Sequence, residues 1–474
     1  MGARQFLTGE WLTMEFAADW LHSCRQLCGQ EHDTVGWIVK QLPLSQLVAQ
    51  AYGLPAGQPP VKRRGRKPHN RLAMTVALLY MQTEHIPYLA DLAKRLHDDD
   101  DFAQRCGFAT HEKRPQRWDL SRHFWRLAGW DFAAHLQWAL VQAAMGLGLV
   151  SGAGVAIDST EITGHEAASS EPKPTAGMSP SQRRRWEEKQ AQQRLQEAHS
   201  LSFHEQVAKL PTAADWGRKR DSKGHMHDWF GYKLHLAVDT GPYEIPLLAV
   251  LTSASCHDLR AAYPLVRGLR ERWPQLQPRH WVYDSAYDAK DLYGYHAAYG
   301  QQMIAELNWR TAQPPAGFDQ RMHPVCEAGQ SHRYHSYDGK YHTLRFRAPQ
   351  ECEPATCPYS AQCRGRERKV KVRDLRLHAP PARGSQVFAR LYDRRTVVER
   401  TIDGLKVDHQ GNACFLKGHA KVQLWAGLAL ACWTARKIVL GLQGRQRGRP
   451  RRRRAQRALP KQLRLDRHGG FLAR

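Results

Sequence analysis

The chain has 474 residues, enough for two or three domains and a sizeable hydrophobic core. Its formal net charge of +25 and pI near 9.8 predict a polyanionic partner, which leaves DNA, RNA or a membrane surface. A membrane is the least favoured of these. The most apolar stretch, Val422–Trp433, is soon followed by Arg436 and Lys437 and falls short of the ~20 residues that a spanning helix needs.

The N-terminus and the cysteines favour a cytoplasmic protein. Met1–Phe16 contains one arginine and two scattered acids, but no apolar core of signal-peptide length. Ten cysteines in a chain of this length do not form the pattern of a secreted disulfide framework.

The first 150 residues are predicted to be helical. Residues 1–60 form an N-terminal segment, and residues 61–150 form a helical DNA-binding domain that begins with a basic linker. The linker contains Arg64-Gly-Arg66, which resembles a hook for the narrow minor groove of AT-rich DNA, where the negative potential attracts arginine. A solvated basic linker is an equally good interpretation of these residues. An ordinary support domain is the alternative for the helices.

Two apolar runs, each followed by an aspartate, predict buried strands. Gly154–Ile157 precedes Asp158, and Trp281–Tyr283 precedes Asp284. Short, continuous apolar runs suit strands that are covered on both faces. A carboxylate just past the end of such a strand lies where ligands commonly bind. Either aspartate taken alone would be interpreted as a cap or a surface acid.

The residues between these aspartates predict a hairpin and a helix. Trp229–Asp239 alternates with period two and pairs with residues 244–251 as an antiparallel hairpin. A helix over 259–272 follows. This β-β-β-α-β order predicts an α/β fold with a ribonuclease-H-like mixed sheet flanked by helices, and residues 151–307 are assigned to the first part of that catalytic core.

Residues 308–390 break the alternation of helices and strands and are predicted to be a Cys/His-rich insertion before the catalytic helix. A structural Zn²⁺ would be held there by four thiolates or by three thiolates and a histidine. Unligated, reduced thiols are an equally good interpretation, because the spacing is looser than paired Cys-x2-Cys motifs. The candidate ligands are Cys326, Cys352, Cys357 and Cys363.

The stretch from Tyr392 to Lys406 predicts one helical stripe of functional groups. At 3.6 residues per turn, Tyr392, Arg395, Glu399 and Lys406 lie within about 60° of one another. Glu399 binds a hard cation only if other carboxylates converge on it. Asp158 and Asp284 are the candidates. Residues 391–442 are assigned to the C-terminal helices of the core.

Residues 443–474 are predicted to be a disordered basic tail. This segment contains eleven arginines and one lysine against a single aspartate. Arg447-Gly-Arg449 matches the minor-groove hook more tightly than the earlier motif does. Non-specific attraction to phosphate is the alternative, and it would make DNA binding steeply dependent on salt.

Tyr392, Arg395, Glu399 and Lys406 match without a gap the Tyr-x2-Arg-x3-Glu-x6-Lys signature of a subgroup of bacterial insertion-sequence DDE transposases. The stretches Ile157–Thr160 and Tyr283–Asp288 resemble the first and second aspartate motifs of that family. The resemblance extends from about Arg71 to Lys437.

The resemblance implies a DNA transposase that cleaves and rejoins DNA at the ends of a mobile element. Asp158, Asp284 and Glu399 would be catalytic and would hold two Mg²⁺ ions, or Mn²⁺. Arg395 and Lys406 would bind DNA phosphates, and Tyr392 would contact a phosphate or orient Glu399.

The expected partners are double-stranded terminal repeats and target DNA, bound by a homodimer in the bacterial cytoplasm at the nucleoid. The resemblance also implies a hairpin intermediate on the element ends. Two alternatives stay open at this stage: a non-catalytic DNA-binding protein derived from a transposase, and a nuclease with the same core.

Overall fold

The computed structural model describes residues 33–53, 69–109, 113–167, 177–220, 225–309, 312–349, 352–353, 355–363, 365–412 and 414–446. The predicted hooks at Arg64 and Arg66 and at Arg447 and Arg449 lie outside these residues, as does most of the predicted basic tail.

Seven helices precede the sheet in the described residues. Their bounds are α1 Thr34–Gln41, α2 Leu44–Ala51, α3 Arg71–Thr83, α4 Leu89–Asp98, α5 Asp100–Arg105, α6 Arg117–Gly129 and α7 Phe132–Gly146. They share one continuous hydrophobic core with the sheet and the C-terminal helices.

The central sheet is mixed, and β1 and β3 lie in its middle. Its strands are β1 Gly154–Thr163, β2 Asp215–Arg220, β3 Met226–Asp239, β4 Pro246–Ser253, β5 His280–Tyr283 and β6 Gln302–Ile304. β1 pairs antiparallel with β3 and parallel with β5, and β5 pairs parallel with β6. On its other side, β3 pairs with β2 through its first half and with β4 through its second half.

Helices between and after these strands flank the sheet. Their bounds are α8 Pro180–Ser200, α9 Phe203–Ala208, α10 Asp258–Arg272, α11 Lys290–Ala297, α12 Leu375–His378, α13 Gln386–Tyr392, α14 Thr396–His409 and α15 His419–Gln446. Both α10 and α14 pack against β1 and β3. This mixed sheet flanked by helices is consistent with the ribonuclease-H-like fold expected from the sequence.

The strand that was predicted to end at Asp158 continues for five more residues. Val155, Ala156 and Ile157 are fully buried, as predicted for a strand covered on both faces. From Asp158 to Thr163 the strand remains paired with β3, although its residues are less buried. The antiparallel partner, which is long enough to pair with this polar half, keeps β1 extended past the aspartate.

The predicted hairpin forms between β3 and β4, and the helix predicted over 259–272 begins one residue earlier, at Asp258. The sequence did not predict β2, which pairs only with the exposed first half of β3.

Residues 308–390 contain a separate, three-stranded sheet of β7 Arg333–Asp338, β8 Thr343–Arg347 and β9 Glu367–Lys371. Its small core contains Leu344, Phe346 and Ala382. Arg376 joins this segment to the catalytic core by donating to the fully buried Asp288 carboxylate, with a closest N–O distance of 2.7 Å. The buried pair explains why Asp288, which follows the second aspartate motif closely, is unavailable to a ligand.

Helix α15 is the longest helix among the described residues and contacts α1, α3, α6, α7 and α14. By length and composition its segment His419–Gly444 would be able to cross a membrane, but 72% of the tested window is buried in the protein. Core helices of soluble proteins meet the same criterion, so this finding is weak evidence for a membrane.

We expect Gly404→Ala to destabilise the protein by about 1–3 kcal/mol, because overpacking a buried contact has a cost of this size. Gly404 lies in α14 with no room for a side chain, and an added Cβ would overlap the indole ring of Trp433 on α15. The measurement is chemical denaturation of the purified chain.

Gly294→Ala is the matched control, because Gly294 is also helical but an added Cβ would meet no neighbour within 4 Å. It should leave stability unchanged or raise it by up to about 1 kcal/mol. Equal stability of the two variants would contradict the close packing of α14 on α15.

Candidate functional site

The two predicted aspartates lie next to each other on neighbouring strands. Ile157 of β1 pairs with Tyr283 of β5 in parallel register. Asp158 and Asp284, the next residue of each segment, therefore lie at the same level of the sheet. Neighbouring strands are about 4.8 Å apart. The backbone N–H of Ser159 donates to Asp158 Oδ1 at 2.7 Å, and the N–H of Ala286 donates to Asp284 Oδ1 at 2.8 Å. The two carboxylates are therefore held close together by their own backbone.

Burial raises the pKa of Asp158 to about 7, and the charge of Asp284 adds to this shift. The pKa of Asp284 is also raised, first by burial and then by the nearby Asp258 carboxylate. The cations of Arg395 and Lys219 oppose the shift at both aspartates. The site thus concentrates negative charge and attracts cations.

Arg395 connects the two aspartates to Glu399. Its Nη1 lies 2.7 Å from Glu399 Oε1 and 3.8 Å from Asp158 Oδ2. The predicted helix is interrupted here: α13 ends at Tyr392, a 3-10 turn spans Asp393–Arg395, and α14 then begins. The backbone stays right-handed through the turn, so Arg395 and Glu399 remain one turn apart and share a face. The structure therefore brings together Asp158, Asp284, Arg395 and Glu399.

Tyr392 is half-buried and reaches the site through Arg395. Its ring stacks on Phe388 with the ring centroids 5.7 Å apart, and the Arg395 guanidinium carbon lies 5.6 Å from its ring centroid. Burial raises the pKa of the Tyr392 hydroxyl, so it stays protonated at neutral pH. In this position Tyr392 orients the arginine.

Lys406 lies farther along α14 and pairs with Glu161 of β1, with Nζ 3.4 Å from Oε1. The other oxygen of Glu161 lies 3.5 Å from His227 Nε2. Glu161 therefore holds Lys406 in place beside the strand that carries Asp158.

Sequence reasoning missed Lys219, an exposed residue of β2. Its positive charge opposes the rise in the pKa of both aspartates. The only sequence signal is the basic run of Arg218, Lys219 and Arg220. Such runs are common on solvated surfaces. The pairing of β2 with β3, which a sequence does not reveal, places this lysine beside the acids.

Asp258, at the start of α10, is a further acid that the sequence analysis did not single out. Burial alone would raise its pKa, but Lys233 and His235 lower it. Lys233 Nζ lies 3.1 Å from Asp258 Oδ1, and Ser159 Oγ donates to the same oxygen at 2.9 Å. Because Ser159 follows Asp158 directly, this buried ion pair holds the strand at the first aspartate.

The donor set of Asp158 and Asp284 fits a hard divalent cation. Carboxylate oxygens are the ligands that Mg²⁺ and Mn²⁺ prefer, and a cation would offset the burial and the repulsion from Asp284 that raise the pKa of Asp158. Glu399, the third predicted ligand, is paired with Arg395. In the part of the chain that the structure describes, no three Asp, Glu, His or Cys side chains already form a metal-binding group.

The cysteines of the insertion do not gather into a zinc site. Cys326, Cys352, Cys357 and Cys363 are free and partly or fully exposed. None of the described residues forms a group of metal ligands with them. The structure therefore favours the alternative of unligated thiols.

Comparison with known families identifies the catalytic segment. The family model described as the transposase DDE domain matches residues 151–435, more than half of the chain. The match begins just before β1, ends in α15 and includes Asp158, Asp284 and Glu399. No curated protein sequence gives a significant match.

We expect Asp158→Asn to stabilise the protein by roughly 1–3 kcal/mol at pH 8 without divalent cations, and to have little effect near pH 3. The carboxyl of Asp158 has a pKa of about 7 in the folded chain, against the ordinary aspartate value of 3.8. The folded state therefore binds the extra proton between pH 4 and 7, and the native chain loses stability as the pH rises through this range.

Chemical denaturation across this pH range measures the effect. Asp403→Asn is the control, because Asp403 is exposed on α14 and its loss should not change the pH dependence. Destabilisation of Asp158→Asn at every pH would mean that the attraction of Arg395 outweighs burial and repulsion.

Proposed function

Because the chain belongs to the transposase DDE family, we propose that it is the transposase of an insertion sequence, cutting and rejoining DNA at the ends of that element. The family implies DNA binding and the use of a divalent metal. The observation that supports the proposal most is the parallel register of Ile157 and Tyr283, which brings Asp158 and Asp284 side by side. Glu399 is linked to Asp158 through Arg395, whose Nη1 lies close to both carboxylates.

The chemistry is proposed to be in-line displacement at a phosphodiester. When bound, two Mg²⁺ ions activate a water or a DNA 3′ hydroxyl and stabilise the leaving oxygen. Asp158 and Asp284 provide hard oxygen ligands. Burial, followed by the charge of a neighbouring carboxylate, raises the pKa of each, and a bound cation would favour their charged form. Glu399 joins them from α14.

Four residues around the acids are proposed to position the DNA. Arg395 binds a phosphate through its planar guanidinium, and Tyr392 holds that guanidinium in place. Lys406 and Lys219 attract the backbone as point charges near the acids. Arg395 then exchanges one anion for another, because a phosphate replaces the carboxylate of Glu399.

The proposal includes a homodimer on the DNA, a hairpin intermediate on the element ends and a cytoplasmic location. These features follow from the resemblance of the motif around Glu399 to its subgroup.

The test is Mg²⁺-dependent cleavage of a labelled duplex carrying the terminal repeat of the flanking element. Glu399→Gln should bind this duplex as the native chain does but cut it at least about a hundredfold more slowly, because it loses one metal-binding carboxylate. Asp408→Asn should cut normally, because Asp408 lies on the opposite side of the same helix from Glu399 and pairs with Arg436 of α15.

Cutting at the repeat boundary followed by joining to a second duplex supports a transposase, whereas cutting without joining indicates a nuclease with the same core. Binding without cutting by the native chain would contradict the enzymatic proposal. It would leave a DNA-binding protein on this scaffold.

We also expect Arg395→Gln to bind Mg²⁺ at least about tenfold more tightly than the native chain when DNA is absent. A unit charge about 4 Å from an acid contributes more than 1.4 kcal/mol at the dielectric typical of a protein surface, and the substitution removes this competing cation. Titration calorimetry with Mg²⁺ is the measurement.

Arg400→Gln is the matched control, because Arg400 pairs with Glu244, outside the acid cluster. If Arg395→Gln binds Mg²⁺ no more tightly than the native chain, Arg395 does not compete with the metal for Asp158 and Glu399. The same variant should bind terminal-repeat DNA more weakly.

A further inference from the structure

The outward face of α6 presents two tryptophans to solvent. Trp118 is 60% exposed and Trp125 is 53% exposed. At 100° per residue they lie within about 20° of each other, at the centre of the exposed face, and about 10 Å apart along the axis. The opposite face of the helix is anchored by Leu120, Phe124 and Leu127, which are almost fully buried. The tryptophans therefore add nothing to the core that holds α6.

Cations surround this pair of rings. The exposed Arg122 lies on the same face, about 40° from Trp118, and Lys421 of α15 lies with its Nζ 4.4 Å from the ring centroid of Trp125. Arg117 and Arg126 are exposed about 80–100° to either side, and Arg126 donates to the backbone carbonyl of Tyr52 at 3.5 Å. The only acid of the helix, Asp119, is largely buried and accepts from Arg122 and from the backbone of Gln116. The face consequently carries an excess of positive charge.

Charge decides which partner this face fits. A helix that docks on a protein usually shows a wide apolar stripe, whereas here the stripe consists of two aromatic rings between cations. The cations match the charge of phosphates, and flat rings make apolar contacts with thymine methyl groups and deoxyribose. The major groove, about 12 Å wide, admits an α-helix.

We propose that this face of α6, defined by Trp118, Arg122 and Trp125, binds double-stranded DNA in the major groove of the element's terminal repeat. This inference rests on the proposed function, because it names the part of the chain that holds the DNA which the acids cut. Arg122, which pairs with Asp119 in the free chain, contacts a DNA phosphate, and the two rings contact the groove.

The test measures binding of a labelled terminal-repeat duplex and of a scrambled duplex of equal length over a range of salt concentrations. The double variant Trp118→Ala/Trp125→Ala should bind the repeat at least tenfold more weakly with an unchanged salt dependence. Arg122→Ala should reduce the slope of log affinity against log salt by about one. Trp118→Phe/Trp125→Phe should retain most of the affinity, because aromatic contact is preserved.

Arg184→Ala is the control for charge, because Arg184 is exposed on α8 at a distance in sequence from this face. It should leave the preference for the repeat over the scrambled duplex unchanged. Sedimentation of each variant without DNA completes the design.

If the double alanine variant binds the repeat as tightly as the native chain does, the proposal is overturned. A double variant that binds DNA normally but loses self-association would also overturn it, because the face would then be a contact between protein copies. A native chain that binds the repeat but never cuts it would contradict the proposed function alone. A native chain that cuts, with unchanged binding by the tryptophan variant, would contradict this inference alone.

Discussion

The burial of two neighbouring carboxylates, Asp158 and Asp284, is the constraint on which the core depends. Burial disfavours the charged form of Asp158, and the like charge of Asp284 on the adjacent strand adds to this cost. The fully buried residues of β1 and β5 on the N-terminal side of the acids offset this cost through hydrophobic burial, and the parallel hydrogen bonds keep the strands in register. The two acids that would attract cations therefore lie where the sheet is most rigidly held, between the buried and paired strands β1 and β5.

Arg395 balances this charge without abolishing it. It shares its guanidinium between Asp158 and Glu399, and its position is set by Tyr392 on one side and α14 on the other. Helix α14 is fixed in turn by the close contact of Gly404 with Trp433. The position of the third acid thus depends on the packing of α14 against α15 as well as against the sheet that holds the other two.

The sequence predicted those parts of the site that depend on local periodicity. Helical spacing placed Arg395 and Glu399 on one face, and the apolar runs before Asp158 and Asp284 predicted buried strands. What it missed depends on contacts between distant segments. Lys219 reaches the acids only because β2 pairs with β3, and Asp258 supports Asp158 only because Ser159 donates to it across the fold.

Helix α15 connects the proposed DNA-binding face to the catalytic acids. Lys421 lies over Trp125 of α6, and Trp433 packs against Gly404 of α14. Twelve residues separate these contacts, which corresponds to about 18 Å along a helix. Because most of α15 is buried, this distance does not change easily. If α6 holds the repeat, the fold itself keeps that DNA at a fixed position relative to α14, the helix that carries Glu399.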